Sequence, residues 1–172
     1  VIGYGSIGKR HAGILNKMDE FDRVAVLSSQ TGLPYETITS LEDVPSMNPD
    51  YVVIASPTAQ HHRQLQFLEA HLEGRRILVE KPLFASIDDL QIKHNQIYVG
   101  YNLRFHHLLR KIKDAVAGKQ LWNIQAVCGS YLPDWRPGRD YRDTSSAKTD
   151  AGGGVLLELS HELDYVQWLA GP

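Results

Sequence analysis

Short apolar runs rich in β-branched residues alternate with longer stretches of helical periodicity through about the first hundred positions. That alternation is the mark of a parallel sheet with crossover helices. The runs predict strands at Val1–Tyr4, Arg23–Leu27, Tyr51–Ala55, Arg76–Glu80 and Gln96–Tyr101. Helices are predicted at Ile7–Lys17 and Ala59–Glu73, the second with Leu65, Leu68 and Leu72 at helical spacing. The expected fold class is α/β, a doubly wound parallel sheet over residues 1–99. Between Pro82 and Ile97 the span is short for a helical crossover, which suggests residues missing from that connection.

The pattern changes beyond residue 100. It predicts a helix at Phe105–Ala117, a strand at Asn123–Tyr131, a polar aromatic loop to Asp150 and a helix at Val155–Ala170. One strand makes no stable sheet, so residues 100–172 are expected to be the truncated start of an α+β domain with an open sheet and uncovered apolar surface. The chain opens inside a strand without an initiator methionine, which suggests that the true N-terminus is missing.

Hydrophobic residues make up 42% and charged residues 22% of the chain, the balance of an ordinary soluble globular protein. Eighteen basic side chains nearly cancel twenty acidic ones, so no bulk field attracts nucleic acid or an acidic membrane. No apolar stretch approaches the roughly 20 residues of a membrane span. The single cysteine, Cys128, excludes an internal disulfide framework, fits a cytoplasmic location and is expected to be a small buried hydrophobe. His106 and His107 are adjacent and point apart on a helix, so no metal site is expected.

The opening Gly3-Tyr4-Gly5-Ser6-Ile7-Gly8 is G-x-G-x-x-G directly after a strand and before a helix. Each glycine has a task there: a tight turn, close approach of the main chain to a pyrophosphate, and close packing of helix on strand. The free N–H groups and dipole of the helix starting near Ile7 favour the anion. A Rossmann domain binding NAD or NADP is expected. Where NAD-preferring sites carry a carboxylate on the second strand, Ser28 and Ser29 stand instead. Nothing there repels a 2′-phosphate and no arginine holds one, so the choice between NAD and NADP stays open.

Ser56-Pro57-Thr58 follows the third strand, with His61 close behind, and Glu80-Lys81-Pro82 follows the fourth. Beyond them come Gly100-Tyr101-Asn102-Leu103-Arg104-Phe105 and Gly152-Gly153-Gly154 with His161-Glu162-Leu163-Asp164. With the glycine fingerprint, these five features in this order resemble the Gfo/Idh/MocA family, named for glucose-fructose oxidoreductase and inositol dehydrogenase. Trp135 to Arg142 is similar to members associated with bacterial surface-carbohydrate synthesis. The resemblance implies a Rossmann domain followed by an open-sheet domain for the substrate, and association of copies through that sheet. It implies NAD(P)-dependent hydride transfer to or from a sugar, sugar derivative or cyclitol. It also places Ser56, Pro57, Thr58, His61, Glu80 and Lys81 at the cofactor.

Oxidising a secondary alcohol requires a cation near the oxygen and a group to take its proton. Lys81 ends a sheet strand, where open α/β sheets place their ligands. His161 has an ordinary pKa of about 6.5 and shares a predicted helix face with Glu158, Glu162 and Tyr165, while Leu156, Leu159, Leu163 and Val166 are expected to pack inward. The family's carboxylate commonly stands four residues before this histidine. Here position 157 is leucine and Glu158 is three before it. Catalytic candidates are therefore Lys81, His161 and Glu158. Substrate candidates are Asn102, Arg104, His161 and the loop residues Trp135, Arg136, Arg139 and Tyr141, which suit a phosphate or carboxylate. Two other readings stand beside the dehydrogenase: a hydrolase or lyase that oxidises its substrate transiently, and a non-catalytic dinucleotide sensor.

Overall fold

Ile2 pairs in parallel with Leu27 on one side and with Ile54 on the other. This single residue joins two parallel ribbons, β1 (Ala25–Leu27) with β2 (Glu36–Ile38), and β3 (Tyr51–Ile54) with β4 (Arg76–Val79) and β5 (Gln96–Val99). Counting Ile2 as the first of six segments, the spatial order is 3-2-1-4-5-6, the doubly wound Rossmann arrangement. The computed structural model describes residues 1–87 and 89–171. They form two units, divided after Gly100.

In the first unit β3 is buried along Val52, Val53 and Ile54, as a strand covered on both faces must be. Helix α1 (Ser6–Leu15) presents the small residues Gly8 and Ala12 inward, which lets it lie close to the sheet. Helix α2 (His61–His71) buries His61, Gln64, Leu65, Leu68 and Glu69. The predicted leucines Leu65, Leu68 and Leu72 join Ile2, Val52, Ile54, Ile77 and Val79 in one core. Each such side chain contributes about 1.5–3 kcal/mol of burial free energy.

Several boundaries differ from expectation. The strand expected at Val1–Tyr4 is one bridging residue, because Gly3 at φ 91° turns the chain out of the ladder. Strand β2 was not anticipated. Two of its three residues are exposed, so it shows no apolar alternation. The α2 region begins with a 3-10 turn at Thr58–Gln60.

The second unit departs further. Its first helix is a 3-10 turn at Asn102–Phe105 followed by α3 (His107–Val116). No strand follows Val99 among the described residues. The strand expected at Asn123–Tyr131 is therefore a correction, and an open second sheet, with association of copies through it, is not represented there. Without a partner edge that segment has no ladder to satisfy, and Val127 and Tyr131 are exposed. Cys128 is exposed too, not buried. The last predicted helix is interrupted at Leu159 into α4 (Val155–Glu158) and α5 (Ser160–Ala170). Leu156 and Leu163 are exposed, whereas Ser160, Asp164 and Leu169 face inward.

A buried carboxylate closes the first unit between α2 and β5. Glu69 accepts the main-chain N–H groups of Lys93 and His94 and the Asn95 side-chain amide, and Asn95 Oδ1 accepts Arg75 N–H at 3.0 Å. Burial works against the Glu69 charge, but the donors of His94, Asn95 and Lys93 outweigh it and hold the carboxyl below its ordinary value. A depressed folded-state pKa contributes stability that is present above the unfolded carboxylate value and lost as pH falls through the folded one. Glu69→Ala is expected to cost about 2–3 kcal/mol at neutral pH, through orphaned donors. It should also lose less stability than the parent as pH falls below about 4.3. Urea denaturation of both proteins between neutral and acidic pH checks both effects.

Candidate functional site

The glycine loop is shaped by main chain against main chain. A Cβ on Gly3 would lie 2.8 Å from Ala55 O and Ser56 N, and one on Gly8 would lie 2.0 Å from Gly3 O. Neither position admits a side chain. Gly5 differs, for a Cβ there would meet no protein atom within 4 Å. It is the N-cap of α1 with no side-chain cap and no acidic residue in the first turn. The N–H groups of Ser6, Ile7 and Gly8 thus lie in a first turn that offers donors to an anion. The loop fits a dinucleotide pyrophosphate.

At the neighbouring strand end, buried Ser28 accepts Gln30 N–H on its hydroxyl at 3.1 Å. Gln30 then donates its side-chain amide to Tyr4 O at 3.0 Å, drawing this turn against the glycine loop. Ser29 is exposed. Its hydroxyl faces solvent, whereas that of Ser28 accepts the turn's N–H and keeps its own O–H to donate.

Across the switch in strand order, Ser56-Pro57-Thr58 leaves β3 and Glu80-Lys81-Pro82 leaves β4. His61 braces the two turns. It is 1% exposed, with Nε2 2.9 Å from Ser56 O and Nδ1 3.1 Å from Pro82 O and 3.2 Å from Leu83 O. Both ring nitrogens of His61 thus face main-chain carbonyls. Ser56 donates its hydroxyl to Gln64 Oε1 at 2.6 Å. Glu80 is likewise engaged: Oε1 is 2.6 Å from His11 Nε2 and Oε2 accepts Lys81 N–H at 3.2 Å. Thr58 is half-buried, and Lys81 stands at the carboxyl edge of the sheet.

In the second unit Arg104 and Asp164 form a two-pronged ion pair, Nε to Oδ2 at 2.8 Å and Nη2 to Oδ1 at 2.5 Å. Arg104 therefore ties the 3-10 turn holding Asn102 to α5. His161, one turn before Asp164 on α5, meets Tyr101 edge-on with ring centroids 5.7 Å apart. Glu158 lies on α4 rather than on the same uninterrupted helix. Desolvation raises the Tyr165 phenol above its ordinary value, with Glu162 and Cys128 adding to it. A raised phenol is a poor base near neutrality. Trp135 donates its indole N–H to Ser130, and Tyr141 lies at the surface near it in sequence.

An open depression of about 350 Å³ in the arginine loop is lined by Arg136, Arg139, Asp140, Asp143, Thr144 and Ser145. Arg142 pairs with Asp140, which leaves Arg136 and Arg139 as the cations lining the depression. A larger cavity, about 730 Å³, opens beside Ala25, Tyr51 and Arg76. Those residues begin β1, β3 and β4, so this cavity is at the far end of the sheet from Gly3, Ser56 and Lys81. Among the described residues, no three metal-ligating side chains cluster and no helix is long and apolar enough to cross a membrane.

Residues 1–96 match the model of an oxidoreductase family with an NAD-binding Rossmann fold, GFO_IDH_MocA. The chain belongs to this family. Among its members, the chain is 30% identical to inositol 2-dehydrogenase 1 of Mycolicibacterium vanbaalenii, over 98% of this chain and 52% of that protein. It is 28% identical to 2,7-anhydro-N-acetylneuraminate hydratase of Mediterraneibacter gnavus, over 99% of this chain and 48% of the relative. The chain spans about half the length of these curated relatives. The fold matches the WlbA dehydrogenase of Bordetella pertussis, solved with NADH and UDP-GlcNAcA, with a TM-score of 0.74 and 20% identity over 99% of this chain and 57% of that one.

Within the family frame, the first unit brings Gly3, Gly5, Gly8, Ser29, Thr58 and Lys81 to the carboxyl edge of its sheet. His11 was not among the sequence candidates. Its signal was position, since it follows Gly8 by three residues and so flanks the sheet-facing stripe of α1. The open space at Gly5 separates fold from binding. Gly5 has φ −75°, which alanine adopts, so Gly5→Ala is expected to leave the melting temperature unchanged. The methyl group should nevertheless fill the pyrophosphate's approach and weaken NADH binding by about tenfold or more, roughly 1.4 kcal/mol. Fluorescence titration alongside thermal melting checks this; equal affinity in the variant would place the pyrophosphate elsewhere.

Proposed function

We propose that the protein is an NAD(P)-dependent oxidoreductase that transfers a hydride between the nicotinamide and a secondary alcohol of a sugar, sugar derivative or cyclitol. The observation that carries this reading is the position of Lys81. It leaves the sheet one strand beyond the strand-order switch, on the same edge as the glycine loop, the edge on which open α/β sheets bind their ligands. The fingerprint, the family membership and the relatives' dehydrogenase names support it. When bound, the dinucleotide supplies a hydride acceptor or donor. Lys81 acts as the cation that polarises the reacting oxygen, and His161 exchanges its proton. Glu158 is the remaining carboxylate candidate to assist it, from the adjacent α4. A cytoplasmic location is part of the reading, supported by the lone Cys128.

The substrate carries an anionic group, carboxylate or phosphate. Support comes from Arg136 and Arg139, the cations of the loop depression, with Trp135 and Tyr141 beside them in sequence as flat surfaces for a sugar ring. Asn102 is assigned to the substrate as a polar contact. A second reading is favoured by the hydratase among the relatives: the alcohol is oxidised transiently, a bond is broken or hydrated, and the hydride is returned. Net change in NAD(P)H absorbance belongs to the first reading, and product without net change belongs to the second.

Two outcomes are expected in the intact protein. With Ser29 exposed and no carboxylate at the second strand end, NADP is expected to bind at least as well as NAD, and a preference for NAD above about tenfold, roughly 1.4 kcal/mol, overturns this. Parallel titrations measure it, and such a preference would mean that the 2′-phosphate is excluded by other groups. His161→Ala should lower turnover by about 10²- to 10⁴-fold while leaving dinucleotide affinity unchanged, and Lys81→Ala should lose as much or more. Near-normal turnover of His161→Ala from about pH 6 to 9 would make the histidine a structural partner of Tyr101.

A further inference from the structure

Lys81 lies two residues beyond the end of β4, so its own amide needs an anchor outside the sheet ladder. Glu80 supplies one, taking Lys81 N–H on Oε2 at 3.2 Å. The other oxygen, Oε1, lies 2.6 Å from Nε2 of His11. Both side chains are largely covered, 21% exposed for His11 and 16% for Glu80. Behind the carboxylate, a Cβ on Gly100 would lie 3.2 Å from Cδ and Oε2, so the group has little room to turn away. His11 belongs to α1, whose first turn offers its N–H groups to the dinucleotide.

We propose that His11 is a positioning residue: through Glu80 it ties the dinucleotide-binding helix to the main chain of Lys81. Cofactor helix and reacting cation are then parts of one hydrogen-bonded assembly. The inference rests on the reading of Lys81 as the group that acts on the substrate oxygen. Helix α1 does not need His11 to dock, because Gly8 and Ala12 already bury against the sheet. Loss of the imidazole therefore displaces the Lys81 turn before it displaces the glycine loop.

His11→Leu, His11→Gln and Lys81→Ala, with the double variant His11→Leu/Lys81→Ala, test the link in the intact protein. The readouts are kcat, NADH affinity by fluorescence titration, and melting temperature. Small displacements of a reacting group cost up to about 100-fold, so His11→Leu is expected to lower kcat by about 10- to 100-fold. NADH affinity should stay within about threefold, since the loop is untouched. His11→Gln, whose amide N–H can donate to Glu80, should recover most of the loss. In the Lys81→Ala background His11→Leu should add little, because residues acting as one unit are not additive.

An unchanged kcat with a lowered melting temperature would make the pair a structural staple and overturn the proposal. So would a loss of NADH affinity that matches the loss of kcat. Should His11→Leu fail to fold, Glu80→Gln, which weakens the same link from its other side, is measured identically and decides by the same outcomes. Lys81→Ala with parental turnover would overturn the reading of Lys81 itself, and the link with it. That result is visible without any change at His11.

Discussion

Everything at the carboxyl edge of the sheet depends on how closely main chain can approach main chain around Ile2. Its N–H donates to Val53 O at 2.7 Å and its carbonyl accepts Ala55 N–H at 2.8 Å, while on the other flank Gly3 N–H donates to Leu27 O at 3.0 Å. One residue is therefore held by ladders on both sides. The chain must then leave the sheet at once and start a helix directly above it, which only glycine allows: φ is 91° at Gly3, and Gly8 lies against Gly3 O. The strand-order switch, the opening above Gly5 and the start of α1 are three results of that one packing constraint.

The turns beside this point are fixed by polar side chains that face main chain rather than solvent. His61 spans Ser56, Pro82 and Leu83 carbonyls, and Glu80 spans His11 and the Lys81 amide. Buried polar groups cost free energy unless satisfied, so partners of this kind are either fully engaged or destabilising. The imidazole and the amide N–H on its two oxygens keep the Glu80 carboxylate engaged.

Much of this was legible in the sequence, and the parts that were not share a cause. Periodicity found β1, β3, β4, β5 and both first-unit helices because each has a face that must be apolar. It missed β2, which has exposed residues and only a short connection from Ser28. It misjudged Asn123–Tyr131, since alternation specifies a strand only where a partner edge exists. At the site, the glycines were readable because each has a steric task that no other residue performs. Motif membership said that His61, Glu80 and Arg104 matter, but not where their polar atoms point. That is decided largely by partners distant in the chain, up to 69 positions for Glu80 and His11, and Arg104 finds its own in Asp164. His11 had no motif to announce it.

The two units hold Lys81 and His161 in different ways. In the first, a core of aliphatic residues supports the sheet, and Lys81 extends from its edge. In the second, the buried side chains among the described residues are Thr144, Ser146, Ser160, Asp164 and a single aliphatic one, Leu169. Apolar burial is non-directional, whereas a two-pronged arginine–carboxylate pair fixes both distance and angle. Arg104 gripping Asp164 therefore sets the rotation of α5 about its axis, and His161, three residues earlier on that helix, is turned toward Tyr101. An apolar stripe at Leu156 and Leu163 could not have done this, for it would slide and rotate at little cost. The exposure of those leucines and the burial of Asp164 show that α5 is oriented by the polar pair and not by an apolar stripe.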